Sequence, residues 1–391
     1  MKAFVAIFLS AMVAFAGVPT ASVFAKEKKD SQALVDNVKS AILLEKDTGK
    51  VLYSKNMDKE LPPASMTKIM TLLLIFKALD NKTLSLDEKV QVSEHAASMG
   101  GSQIFLEAGE KMTVNDLLKA IAIGSANDAS MAMAEHLAGS EKSFVKKMNK
   151  EAKALGLKHT HFSNPTGLPT DDHYSTAHDM AMMAKALLNY PEVLKYTSTY
   201  EDYLRENTDK KFWLVNTNKM LKTYQGIDGL KTGFTQEAKY CLTATAKRNG
   251  MRVIAVVMGA PTPKERNKEV ASMLNYAFAH FQTKELVPKG KVMRQVQVNK
   301  SKEGTVPVVT QLPVVYLKEK GKQNEKIHKE IIVHKNLKAP MKAGTPVGYY
   351  IVSSKDEILS KTPLVVREDV HKAKWWHLFK RSIGKMTNGS W

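Results

Sequence analysis

The sequence predicts an α/β sheet covered by a helical cluster, then a small all-β domain and an amphipathic helix at the C-terminus. Three observations carry this. Strand-like runs stand at both ends of the first 280 or so residues, with helical periodicity between them. Beyond Pro288 the texture changes to short β-rich pieces cut by turn residues. From Lys372 to Met386, apolar residues recur at helical spacing among lysines.

The first element is a leader. Lys2 gives a positive start, Ala3 to Ala16 are apolar apart from Ser10, and Val23-Phe24-Ala25 offers small residues before Lys26-Glu27-Lys28-Lys29. The run is short for a membrane span and fits a cleavable signal peptide over residues 1–25. Export is therefore expected. Cys241 is the single cysteine, so no intramolecular disulfide can form, and its apolar strand-like setting marks it as a buried hydrophobe.

Residues 26–287 form the expected first domain. Ala41 to Leu44 and Val51 to Tyr53 read as strands joined by the turn Asp47-Thr48-Gly49-Lys50. Thr67 to Leu79 reads as a largely buried helix. Val114 to Ile123, Ala129 to Leu137 and Ala177 to Leu188 carry further helical periodicity. Cys241 to Ala246 and Val253 to Gly259 read as strands, and Lys268 to Phe281 as a closing helix. Residues 288–368 form the expected β domain, with strands at Val292 to Val298, Val314 to Leu317, Lys329 to His334, Val347 to Val352 and Leu364 to Val366. Pro307, Pro313, Pro340 and Pro346 punctuate them. No cluster of nucleophile, base and acid is visible there.

The chain carries 58 Lys and Arg against 39 Asp and Glu, a net charge of +19, which becomes +18 once the leader takes Lys2 away. Export argues against nucleic acid as the partner of that charge. Anionic lipid headgroups and wall polymers fit better. In residues 369–391, Trp376, Phe379, Ile383 and Met386 share one helical face, with Trp375 at its edge and Lys372, Lys374, Lys380, Arg381 and Lys385 around it. That is the composition of a helix lying in a membrane interface, so an anionic membrane surface is an expected partner. The ordinary alternative is a helix docked on the β domain.

Chemistry is concentrated in three motifs. Ser65-Met66-Thr67-Lys68 follows Leu61-Pro62-Pro63-Ala64 and opens an apolar run, which places Ser65 at a helix start. Ser65 and Lys68 lie one turn apart on one face. A hydroxyl needs a base to become a nucleophile, and a lysine desolvated in an apolar helix can be that base. Taken alone, the pair also reads as a capping serine and a snorkelling lysine. In Ser125-Ala126-Asn127 a hydroxyl and a carboxamide can both face a cleft, Ser125 passing a proton and Asn127 holding a substrate amide; a helix cap is the plain alternative. In Lys231-Thr232-Gly233-Phe234, Lys231 and Thr232 can meet a carboxylate, Gly233 permits close approach of a ligand, and the Phe234 N–H can bind an oxyanion. Its plain alternative is an edge-strand lysine and a turn glycine.

In this order the triplet resembles the penicillin-binding proteins and serine β-lactamases. The separations of 60 and 106 residues resemble those of the low-molecular-weight D-alanyl-D-alanine carboxypeptidases. So do Phe162 to Leu168, His173 to Met180 and Met251 to Gly259. The resemblance implies the penicillin-binding, β-lactamase-like fold and removal of the terminal D-alanine from peptidoglycan stem peptides through an acyl-enzyme. It implies no cofactor, and β-lactam antibiotics as covalent inhibitors. Ser65 would be the nucleophile and Lys68 its base, with Ser125 and Asn127 lining the cleft. Lys231 and Thr232 would bind the substrate carboxylate, the N–H groups of Ser65 and Phe234 would form the oxyanion hole, and Arg266 aligns with an arginine near the carboxylate site. Many relatives have glycine at Ala126 and histidine at Phe234; the latter role is main-chain and survives. Three rivals stand beside this reading: a zinc site built from His159, His161, His173 and His178 with Asp171, Asp172 and Asp179; a β-lactamase; and a wall-binding scaffold without turnover.

Overall fold

The computed structural model describes residues 34–322, 326–355 and 357–374. The expected leader lies outside them, as do residues 375–391 of the terminal helix expected over 369–391. Residues 369–374, where that helix was expected to begin, instead form isolated β-bridges at Val370 and Lys372. Among the described residues, no helix is long and apolar enough to cross a membrane.

The first part is built on a five-stranded antiparallel sheet. Its strands are β1 (Ser40–Glu45), β2 (Val51–Lys55), β3 (Ile227–Thr235), β4 (Lys239–Arg248) and β5 (Met251–Ala260), in the spatial order β2-β1-β5-β4-β3. The period-two alternation of strands sorts their side chains onto two cores. Ile42, Leu44, Ile254, Val256 and Met258 face the helical cluster. Ala41, Leu43, Val253, Ala255 and Val257 face the other way, onto Val270, Met273, Leu274 and Ala277 of the closing helix. Both faces are covered, which is why β1 and β5 read as unbroken apolar runs.

The helical cluster contains α1 (Lys68–Asp80), α2 (Val114–Lys119), α3 (Asn127–Ala138), α4 (Glu141–Ala154) and α5 (Ala177–Leu187). Helix α1 is buried nearly all round, from Lys68 to Phe76. Helix α2 runs into a π-helical turn at Ala120–Gly124, which ends on Ser125 at φ 62. Helix α4 is absent from the sequence expectations, because its composition is dominated by Lys and Glu. Only Phe144, Met148 and Ala152, one per turn, go inside, and Ser140 caps it by accepting the Ser143 N–H. The closing helix α6 (Pro263–His280) begins five residues before its expected start. Thr262 caps it through the Glu265 N–H, and Pro263 occupies its first turn, a position where no N–H is needed.

His280 ends α6 and Phe281 begins β6 (Phe281–Val287), with no residue between them. The remaining strands are β7 (Val292–Gln297), β8 (Thr305–Thr310), β9 (Val314–Glu319), β10 (His328–Val333), β11 (Pro346–Ser354) and β12 (Glu357–Val366). They form a two-stranded β6-β9 sheet and a five-stranded sheet ordered β7-β8-β12-β11-β10, around Val308, Val314, Val347, Val352, Leu364 and Val366. Strands β6 and β8 are additional to the expected five. Pro307 was expected to break the chain, but it lies inside β8. Pairing of β8 with β12 starts only at Val308, so the missing proline N–H leaves no gap there. The α/β part followed by an all-β part is the predicted architecture. Val370 pairs with Met341, and the Lys302 and Ala373 N–H groups bond to His371 and Lys300 carbonyls, so the chain stays tied to the β sheet up to Ala373.

Candidate active site

Ser65 sits in the 3₁₀ turn Ala64–Thr67 that leads into α1. Lys68 is the first residue of α1 and is completely buried. Its Nζ lies 3.2 Å from Ser65 Oγ, 2.6 Å from Asn127 Oδ1 and 2.8 Å from the Thr166 carbonyl oxygen. Two of these partners only accept. The third is a hydroxyl, which accepts from Lys68 here and can also donate to the amine once it is neutral. Burial, with the Lys231 charge adding to it and Asp128 opposing, holds the Lys68 ammonium well below its usual range.

Asn127 opens α3. Its N–H donates to the Ser102 carbonyl at 2.7 Å and its Nδ2 to the Gly100 carbonyl at 2.6 Å. Ser125 is buried and held at positive φ, a conformation that serine adopts only when its surroundings impose it. Lys231 is buried within β3, the outer strand of the sheet. Burial first and the Arg266 charge second bring its pKa down to about 7. The Thr232 hydroxyl donates to Thr217 Oγ1 at 2.7 Å. Arg266 is buried in the first turn of α6 and donates to Asn267 Oδ1 at 3.1 and 2.9 Å.

Gly233 serves a different neighbour from the one expected. A Cβ there would stand 2.7 Å from the Pro63 carbonyl oxygen and 3.2 Å from the Met66 nitrogen. The close approach is made by the serine's own turn, and it sets Phe234 of β3 beside that turn. The Phe234 ring is 46% exposed and stacks on Tyr240 at 4.4 Å.

Several residues that hold the site were missed in the sequence. The segment Asn164–Leu168 docks on α1, with Thr71 Oγ1 donating to the Pro165 carbonyl and Lys68 to that of Thr166. Gly167, at φ +85, packs against Ala64 so tightly that a Cβ would fall 1.9 Å from the Ala64 carbonyl oxygen. The Asn-Pro-Thr-Gly run was the available signal. Asp128 and Thr217 gave none beyond their nearness to a motif. A cleft of about 510 Å³ runs alongside, lined by residues including Pro62, Ala64, Gly167, Leu168, His173 and Thr235.

The four histidines of the zinc alternative go to separate partners. His159 meets Glu60, His161 meets Asp172 and His178 meets Asp179. His173 is buried, bonds Thr67 Oγ1 at 2.8 Å and accepts the Ser163 N–H, and burial pushes its pKa down to about 4. Among the described residues, no group of three or more His, Cys, Asp or Glu side chains is placed to hold a metal ion.

Comparison with known proteins gives concordant matches along the chain. Residues 26–262 match the D-alanyl-D-alanine carboxypeptidase family, and residues 281–372 match the penicillin-binding protein 5 C-terminal domain. The chain is 54% identical over 367 residues to the D-alanyl-D-alanine carboxypeptidase DacF of Bacillus subtilis, covering 94% of each. Penicillin-binding protein 5 from Haemophilus influenzae superposes with a TM-score of 0.67 at 31% identity, covering 86% of this chain and 98% of that one. Penicillin-binding protein D2 from Listeria monocytogenes, in an ampicillin-bound form, gives 0.56 at 36% identity, covering 62% and 98%.

Proposed function

The chain belongs to the D-alanyl-D-alanine carboxypeptidase family and is a serine D-Ala-D-Ala carboxypeptidase; on that premise we propose that Ser65 is its nucleophile and Lys68 its general base. The observation that carries this is the buried Lys68 Nζ, 3.2 Å from Ser65 Oγ. Lys68 takes the hydroxyl proton as Ser65 attacks the carbonyl between the two terminal D-alanines of a stem pentapeptide. The N–H groups of Ser65 and Phe234 bind the oxyanion, and one such donor contributes roughly 3–4 kcal/mol in comparable enzymes. Ser125 relays the proton to the departing D-alanine, and water then resolves the ester. Asn127 holds the substrate amide, Lys231 and Thr232 hold the terminal carboxylate, and Arg266 adds charge behind them. A β-lactam follows the same acylation and stays on Ser65.

Export by the leader and attachment to an anionic membrane through residues 375–391 complete the proposal. The outer face of a bacterial membrane is where stem peptides and anionic lipid are both within reach. To test the nucleophile, Ser65→Ala and Lys68→Ala are incubated with pentapeptide and with a fluorescent penicillin. Ser65→Ala should release no D-alanine and take no label, and Lys68→Ala should lose most of both. A covalent adduct on the folded Ser65→Ala protein would sink the assignment.

A further inference from the structure

Asp128 directly follows the Ser-x-Asn motif, has no part in the steps above, and is completely buried. A carboxylate in such a place needs strong partners. It has three: the N–H groups of Ile104 at 3.0 Å, Leu106 at 3.1 Å and Ala129 at 2.8 Å. Between the first two lies Phe105, at φ +55 and 67% exposed. A bulky residue in that region of backbone space is strained, and it stays there only if both flanks are held. Asp128 holds both.

The same segment delivers two carbonyls to the site. Gly100 accepts from Asn127 Nδ2, and Ser102 accepts from the Asn127 N–H. With its NH₂ so engaged, the Asn127 amide must turn its oxygen towards Lys68, where it accepts at 2.6 Å. A flipped amide would aim a donor at a donor. Gly101 lies against this amide, since a Cβ there would be 2.8 Å from Nδ2. We propose that Asp128 is a positioning residue: it clamps the strained segment 100–106 so that Gly100 locks the Asn127 amide with its oxygen on the general base. The charge of Asp128 acts on the same lysine. Asp128 from α3 favours the protonated form of Lys68, and Lys231 from β3 disfavours it.

This inference rests on Lys68 being the base, and its test separates the two. Penicillin acylation is measured against pH for the wild-type protein and Asp128→Asn. The variant keeps the shape, loses one acceptor and loses the charge. Its plateau rate should fall roughly 10- to 100-fold, as displacements of about 1 Å do. Its acid limb should move to lower pH, because a Lys68 without Asp128 gives up its proton more readily; a purely structural residue would leave the limb in place. An unchanged plateau with an unmoved limb overturns the proposal. The clamp is also read in the wild-type protein by amide hydrogen exchange, which does not depend on the variant folding. Ile104 and Leu106 should exchange far more slowly than Gln103 and Phe105, and equal rates overturn the clamp. If Lys68→Ala still acylates at the wild-type rate, the base assignment falls while slow exchange would leave the clamp standing.

Discussion

Gly167→Ala tests whether the contact between the 164–168 segment and the serine's turn positions Ser65, the proposed nucleophile. The new methyl would begin 1.9 Å from the Ala64 carbonyl oxygen, where real contacts are not seen below 3.0 Å, so the two segments must separate by about 1 Å. Alanine at φ +85 costs about 1–2 kcal/mol by itself. The separation also stretches the bonds from Thr71 to Pro165 and from Lys68 to Thr166, each worth about 1 kcal/mol. The sum is about 3–4 kcal/mol, or a fall in Tm on the order of 10 °C. Acylation should fall about 100-fold, since the displacement is applied to the turn that carries Ser65. Gly250→Ala is the control. It has a similar φ of +82 with nothing within 4 Å, so it should show only the backbone cost and full acylation. Thermal unfolding and fluorescent-penicillin kinetics on the three proteins decide the matter. Wild-type acylation in Gly167→Ala would refute the idea that this contact sets the position of Ser65.

Three other outcomes are expected. Lys231→Ala should depress acylation by pentapeptide severely, and amidating the peptide's terminal carboxyl should remove most of the difference from wild type; equal losses on both substrates would mean Lys231 does not read that carboxylate. The folded pKa of Lys231, about 7, lies below its ordinary 10.5, so the unfolded chain holds a proton that the folded one has shed. Resistance to urea should therefore rise as pH climbs from about 7, and the rise should be shallower in Lys231→Met; parallel profiles would remove Lys231 as the source. Finally, a chain ending at Lys374, which spares the hydrogen-bonded residues up to Ala373, should lose sedimentation with anionic vesicles but keep pentapeptide hydrolysis. Undiminished vesicle binding would clear residues 375–391 of the anchoring role.

Much of this was legible because it rests on local rules. Ser65 and Lys68 share a helix face by spacing alone, and the sheet strands β4 and β5 announce themselves through apolar runs. What was hidden depends on distance. Thr166 reaches Lys68 through a backbone oxygen, and no side-chain pattern marks a carbonyl as a ligand. Asp128 carries no signal beyond its place after a motif, and two of its three partners lie more than twenty residues upstream. Helix α4 shows one apolar residue per turn, too few for its periodicity to stand out against its charges. Gly233 was correctly marked as a place of close approach, but the approaching group belongs to a turn 170 residues earlier in the chain.

The seam between α6 and β6 has a mechanical consequence. The last carbonyls of α6, those of Phe278 and His280, are taken by the side chain and the backbone N–H of Lys320, which follows β9. Tyr276 packs its ring on both His280 and Phe281 across the same junction. Helix and strand thus meet as a stitched corner with no slack. Arg266 lies fourteen residues up the helix, about 21 Å at 1.5 Å per residue. The β part therefore works as a fixed bracket: whatever grips its far end sets the bearing of the cleft as well as its height. A few glycines inserted between His280 and Phe281 would turn that bracket into a swivel.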